Sequence, residues 1–143
     1  MRRFTVSGLV PCDPIDLADR LLDATAAPVI WPQIQADAAE DGSVPGWLEC
    51  SVSPEDSEAD ARSGALHVRL RRASPMEVQE RTGGELTVHR FLPATGGCLW
   101  TVESHASPRQ GESWLRFVRR RRHDQARAMA LVDTAASYFA SLL

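Results

Sequence analysis

Residues 85–106 read ELTVHRFLPATGGCLWTVESHA, two alternating runs joined by a Pro-x-x-Gly-Gly turn, and this hairpin decides the fold. Strict alternation over seven or more residues is the signature of a half-buried strand. In the first run Leu86, Val88, Arg90 and Leu92 share one face, so Arg90 is the odd member of an otherwise apolar row. In the second, Cys98, Trp100, Val102, Ser104 and Ala106 oppose Leu99, Thr101, Glu103 and His105.

Working back toward the N-terminus, more strands precede the hairpin. Met76 to Arg81 is a short run closed by the turn signal Gly83-Gly84, and Leu66, Val68 and Leu70 alternate with His67, Arg69 and Arg71, giving a strand with a basic outer face. Gly46 to Val52 also alternates, with Leu48, Cys50 and Val52 on one side. The segments between, Ala36 to Val44 and Ser53 to Gly64, are acidic and poor in apolar residues; they predict surface connections unsuited to precise chemistry. Phe4 to Val10 is a β-prone run stopped by Pro11. Asp13-Pro14-Ile15-Asp16 then predicts a helix start, with Asp13 as N-cap and Pro14 at the first helical position. Apolar residues follow at helical spacing to Leu22, and the helix should end before Pro28.

Working forward, the stretch after Ala106 allows two readings. Trp114 to Val118 is either a last strand or the first turns of a closing helix capped by Ser107-Pro108-Arg109-Gln110. From Asp124 a helix is plain, because Ala128, Met129, Val132, Ala136, Phe139 and Leu143 form a stripe at spacings of three and four. A sheet built mostly mid-chain and gripped by a long terminal helix encloses a cavity. The expected class is α+β, with a curved antiparallel sheet of six or seven strands around the C-terminal helix.

Composition narrows the function classes. A chain of 143 residues is one domain, 1–143, by the size prior, and 43% hydrophobic with 24% charged residues reads as globular. A net charge of -3 argues against a general nucleic-acid binder on electrostatic grounds. All 16 basic residues are Arg, which excludes Schiff-base chemistry on a lysine. Three cysteines well apart in sequence, Cys12, Cys50 and Cys98, and an N-terminus with no apolar signal region predict reduced thiols and a cytoplasmic protein. No run approaches the length of a membrane span. Metal-ligand spacings such as Cys-x-x-Cys and His-Glu-x-x-His are absent from the sequence, and Gly83-Gly84 and Gly96-Gly97 read as hairpin turns rather than phosphate loops.

The strand-helix entry Phe4 to Leu22 followed by Trp31-Pro32, the segment Phe91 to Glu103 with its Gly-Gly turn into a late strand, and the Arg- and Ala-rich closing helix together resemble the START/Bet v 1-like (SRPBCC) superfamily, which includes polyketide cyclase/dehydrase proteins. The resemblance spans nearly the whole chain. It implies a helix-grip fold, two short helices after the first strand, and an internal pocket. One strand that it leads us to expect, between Arg81 and Leu86, has almost no residues to form it. The activity it implies is cofactor-independent cyclisation or dehydration of a hydrophobic, ring-forming substrate, largely by holding one reactive conformer away from water.

Site candidates follow, each with a structural alternative. Arg90 either anchors a polar ligand end from an apolar strand face or reaches solvent or a structural carboxylate. Ser104 joins it as a candidate catalytic group. Trp100 and Trp31 offer flat walls for an aromatic ligand, or simply core packing; Cys50, Val68 and, from the helix, Met129 complete the expected wall. The four histidines His67, His89, His105 and His123 supply acid-base groups near neutrality, and His105 shares a face with Glu103, though opposite Trp100. The basic run Arg119 to Arg122 is either a solvated face, in which Arg120 is dispensable, or a dock for RNA, phosphate or an acidic carrier protein. A non-catalytic carrier or sensor of a hydrophobic ligand is the competing function, and the strand around His67 and Arg69 is the alternative site.

Overall fold

The computed structural model describes residues 2–36, 46–52 and 66–143. The acidic connections expected beyond Ala36 and over 53–64 lie outside the described residues. Among the described residues seven strands, β1 (Arg3–Val10), β2 (Ile34–Ala36), β3 (Leu48–Val52), β4 (Leu66–Ser74), β5 (Glu77–Thr82), β6 (Glu85–Ala94) and β7 (Gly97–His105), form one curled sheet in the order β1-β7-β6-β5-β4-β3-β2. Every neighbouring pair is antiparallel. Between β1 and β2 lie two helices, α1 (Pro14–Leu21) and α2 (Ala27–Ile30), and the chain closes with α3 (Trp114–Ser141).

Local chemistry sets these boundaries. Asp13 caps α1 as its sequence predicts, its Oδ2 accepting from the N–H groups of Ile15 and Asp16 at 3.1 Å each. The closing helix begins ten residues before Asp124, and its N-cap is Ser113, whose Oγ accepts from Arg116 N at 3.2 Å. Residues 107–110 do not cap it. The strand alternative for 114–118 fails: Phe117 and Arg121 are fully buried while Leu115 and Arg119, which a two-residue period would place on the same face, are exposed, so the period is helical. No strand is missing beside Arg81: the Gly83-Gly84 turn joins β5 directly to β6, pairing Thr82 with Glu85, and the count reaches seven.

The sheet curls around α3, which lies against β1. Contact is close at Gly8, where a Cβ would stand 2.5 Å from Cγ1 of Val132, so only glycine admits the helix at this depth. Gly97, at the β6–β7 turn, admits the backbone at the end of β1 instead: its φ is 150° and a Cβ would stand 2.3 Å from the carbonyl oxygen of Val10. The concave face carries the core: Val6, Val10, Val68, Leu70, Val78, Phe91, Cys98, Trp100 and Val102 from the sheet, Leu17, Ala18 and Leu21 from α1, and Val132, Ala135 and Phe139 from α3.

Candidate functional site

The concave face and α3 do not close on each other everywhere. They leave a cavity of about 160 Å³ between the middle of the helix, α2 and the ends of β3 to β7. Its apolar wall is Phe4, Ile30, Trp31, Val52, Leu66, Val68, Val102 and Leu131. Beside these lie Glu80, Thr82, Glu85, Thr87, His89 and Ser104 from the sheet and Arg121, Asp124 and Arg127 from the helix. Pro32, Leu66, Ala130 and Thr134 line it while remaining exposed, and so mark its mouth.

Strand register builds the polar wall. Pairing of Phe91 with Trp100, His89 with Val102 and Thr87 with Ser104 turns Glu85, Thr87, His89 and Phe91 inward, and pairing of Glu80 with Thr87 brings Glu80 diagonally beside His89. His89 Nε2 lies 2.8 Å from Glu80 Oε1, and Trp100 Nε1 donates to His89 Nδ1 at 3.1 Å. An indole N–H can only donate, so Nδ1 is the acceptor and the ring proton sits on Nε2, directed at Glu80. Both rings are buried, His89 at 1% and Trp100 at 0% exposure.

A second cluster forms one lip. Arg121, fully buried, donates through Nη2 to Oγ and O of Ser104 at 3.0 and 3.1 Å, and its Nη1 lies 3.3 Å from Asp124 Oδ2 and 3.9 Å from Glu85 Oε2. Arg120 bonds Glu85 and reaches Glu112 Oε2 at 2.9 Å, while Arg127 holds Asp124 Oδ1 at 3.1 Å. The hydrogen bond from Arg120 pulls the Glu112 carboxyl down to about 2. Thr87 Oγ1 also approaches Ser104 Oγ at 3.4 Å, so the lone pairs of that hydroxyl are engaged and toward a ligand it acts as a donor. Among the described residues, no group of three or more His, Cys, Asp or Glu could hold a metal ion.

The site residues expected from sequence are dispersed. Trp31, Val68 and Ser104 line the cavity. Trp100 is on the concave face but behind His89, packed on it and on Phe91 at centroid distances of 5.7 and 5.3 Å. Cys50 is buried at a separate small space beside Leu21, Ala27 and Pro28. Arg90 is corrected: it lies on the convex face, donating to Glu103 Oε2 at 2.8 Å and Glu77 Oε1 at 3.2 Å. The row Leu86, Val88, Arg90 and Leu92 is the more apolar one in sequence, yet β7 fixes the register and turns it outward, leaving Leu92 46% exposed. Met129 is likewise corrected, being 39% exposed and absent from the cavity wall. Arg120 is not a solvated bystander but a member of the lip, whereas Arg119 and Arg122 are exposed.

Sequence reading named His89 only as one of four histidines and missed Glu80, Glu85 and Arg121 as a set. The available signal was the two-residue turn at Gly83-Gly84, which locks Glu80 opposite Thr87 and makes the polar-looking row of β6 the inner one.

No protein-family model matches the sequence, and no curated protein matches it. Solved structures do. The di-domain ARO/CYC StfQ from the steffimycin biosynthetic pathway superposes with a TM-score of 0.66 at 14% identity, over 98% of this chain and 51% of that one, so this chain spans about half of it. The AHSA1-like protein from Aeromonas hydrophila matches with a TM-score of 0.62 at 11% identity, over 98% and 93% of the two chains. Ara h 8.0201 matches with a TM-score of 0.57 at 12% identity, over 97% of each. At such identities the likeness is one of fold, and it agrees with the strand order and the long closing helix: the chain has a helix-grip fold, a curled antiparallel sheet around a C-terminal helix, as these structures do.

Proposed function

We propose that this protein holds a small, mainly apolar molecule in the cavity between α3 and the concave sheet and promotes its cyclisation or dehydration. The observation that carries this reading is an oriented carboxylate-imidazole pair, Glu80 and the buried His89, on the wall of a cavity otherwise lined in large part by apolar side chains. Cavities of roughly 150 Å³ admit one benzene-sized body, so one ring-sized part of a substrate sits inside at a time and the rest extends through the mouth. Closing a ring by aldol-type addition moves a proton from a carbon between two carbonyls to a base and joins that carbon to a carbonyl carbon. The carbonyl oxygen takes up a proton, and its later loss with a neighbouring C–H proton releases water. Neither step needs a redox partner. The protein contributes a fixed conformer, exclusion of water and a carboxylate near the reacting carbon.

The test is a linear poly-β-keto thioester mimic followed by mass spectrometry for loss of one water. The parent protein should accelerate that loss by about tenfold or more, a modest contribution for acid-base help, and Val68→Trp, which fills the cavity, should abolish it. Binding without acceleration makes the protein a carrier. The exposed Arg116, Arg119 and Arg122 on the outward face of α3 support delivery by an acidic carrier protein. Arg119→Glu with Arg122→Glu should then raise KM for carrier-bound mimic and leave the free mimic unaffected.

A further inference from the structure

The charged groups of the cavity are not equally committed. Arg121 is spent on Ser104, Asp124 and Glu85, and Arg127 on Asp124. Glu85 and Asp124 are neutralised by these cations and by Arg120. Glu80 differs. Among the described residues no guanidinium pairs with it; its Oε1 faces the His89 ring, and its side chain lies on the cavity wall with 17% exposure.

His89 supplies a hydrogen bond there but no charge. Protonating Nδ1 would set its N–H against the indole N–H of Trp100 across 3.1 Å, in a place where neither ring reaches water. The imidazole therefore stays the Nε2–H tautomer, steering Glu80 without cancelling it. One carboxylate oxygen is held by the ring, and the other retains acceptor capacity on a residue that lines the cavity. The Ser104 hydroxyl, on the wall of the same cavity, offers a donor. A phenol or alcohol satisfies both, whereas an ether cannot donate to Glu80 and a carboxylate ligand meets an uncompensated like charge.

We infer that Glu80 is the ligand-facing acceptor of this cavity, which selects a small apolar molecule bearing a hydroxyl donor over its ether and over a carboxylate, with His89 and Trp100 as positioning residues. The inference rests on the cavity being a ligand site, and its test separates the two.

The probes are p-cresol, 4-methylanisole and 4-methylbenzoate, with affinity read from shifts of side-chain NMR resonances. A hydrogen bond to a charged acceptor corresponds to about tenfold or more, so p-cresol should bind the parent at least about tenfold tighter than the anisole, and the benzoate should bind weakest. Glu80→Met should remove the cresol preference and leave anisole affinity as it was. Glu80→Gln, the smaller change, should raise benzoate affinity. Trp100→Phe keeps an aromatic ring in the core but frees His89 Nδ1; it should weaken p-cresol severalfold at constant anisole affinity, which a purely structural residue would not do. Equal binding of the three probes to the parent overturns the donor selectivity and leaves the cavity standing. Failure of all three to bind overturns the cavity itself. A cresol preference that survives both Glu80→Met and Trp100→Phe removes Glu80 and its two supports from the assignment.

Discussion

Arg121 pins the closing helix to the end of β7: with no exposed surface, it spans Oγ and the main-chain oxygen of Ser104 at 3.0 and 3.1 Å while its guanidinium carbon lies 4.6 Å from the centre of the Phe4 ring. A charge taken out of water in this way is tolerated only because acceptors and an aromatic face surround it. Losing one partner of such an arrangement costs about 3–5 kcal/mol. Arg121→Ala should therefore shift the urea midpoint strongly, whereas Arg122→Ala, one residue along on the exposed side, should stay within about 0.5 kcal/mol of the parent. Equal shifts would contradict the inward assignment of Arg121.

Arg90 is the converse case. Its guanidinium is 42% exposed and bonded to Glu77 and Glu103 on the convex face. Arg90→Ala is expected to leave cavity binding of p-cresol unchanged and to cost about 0.2–1 kcal/mol, the range of exposed pairs. The side-chain hydrogen bond from Arg90 is the main reason the Glu103 carboxyl titrates below its ordinary range, with His105 and Arg3 adding to it. In the variant, the Glu103 titration followed by carbon-detected NMR should move upward. An unmoved titration would mean that His105 and Arg3 suffice.

These two arginines mark what sequence could and could not convey. Period and punctuation were legible: Asp13 and Pro14 start α1, the Gly-Gly turns end strands, and the stripe at Val132, Ala136 and Phe139 belongs to the gripped helix. The phase of β6 was not. Its outer row is the more apolar, and only pairing with β7, where Trp100 must be inside, shows that Thr87 and His89 face the cavity. Four consecutive arginines also look alike in sequence. Helical geometry directs 120 and 121 to the lip and 119 and 122 outward, a distinction that needs the location of the sheet. Glu80 gave no signal of its own because its partner is nine residues away across a turn.

The approach of α3 to β1 at Gly8 can be tested by compensation. Gly8→Ala places a methyl carbon 2.5 Å from Cγ1 of Val132, so the helix or the strand must shift. Overpacking of this kind costs about 1–3 kcal/mol. Val132→Ala removes the obstructing methyls and creates a cavity in the parent, yet in the Gly8→Ala background the two changes should fit each other. The double variant should be more stable than the sum of the single losses predicts by about 1 kcal/mol or more. Additive losses in a denaturant cycle would show that the contact is not limiting.

The thiols offer a pH test. Burial, a hydrogen bond from its Sγ to Asp16 Oδ2 at 3.5 Å and the negative charge of that carboxylate push Cys12 from 9.0 up to about 11, and burial foremost pushes Cys98 to about 11 as well. Two pH units mean roughly a hundredfold less thiolate than in the unfolded chain at pH 8, and the thiolate is the reacting species. Iodoacetamide should therefore label Cys12 and Cys98 about a hundredfold more slowly in the native protein than in urea at that pH. The sign for stability follows from the same shift. Because the fold favours the neutral thiols, their contribution is full below pH 9 and is lost as pH rises from about 9 toward 11. Cys98→Ala should flatten this alkaline decline in the denaturation midpoint while leaving the acid side unaltered; a parent and variant that decline in parallel would place the alkaline sensitivity elsewhere.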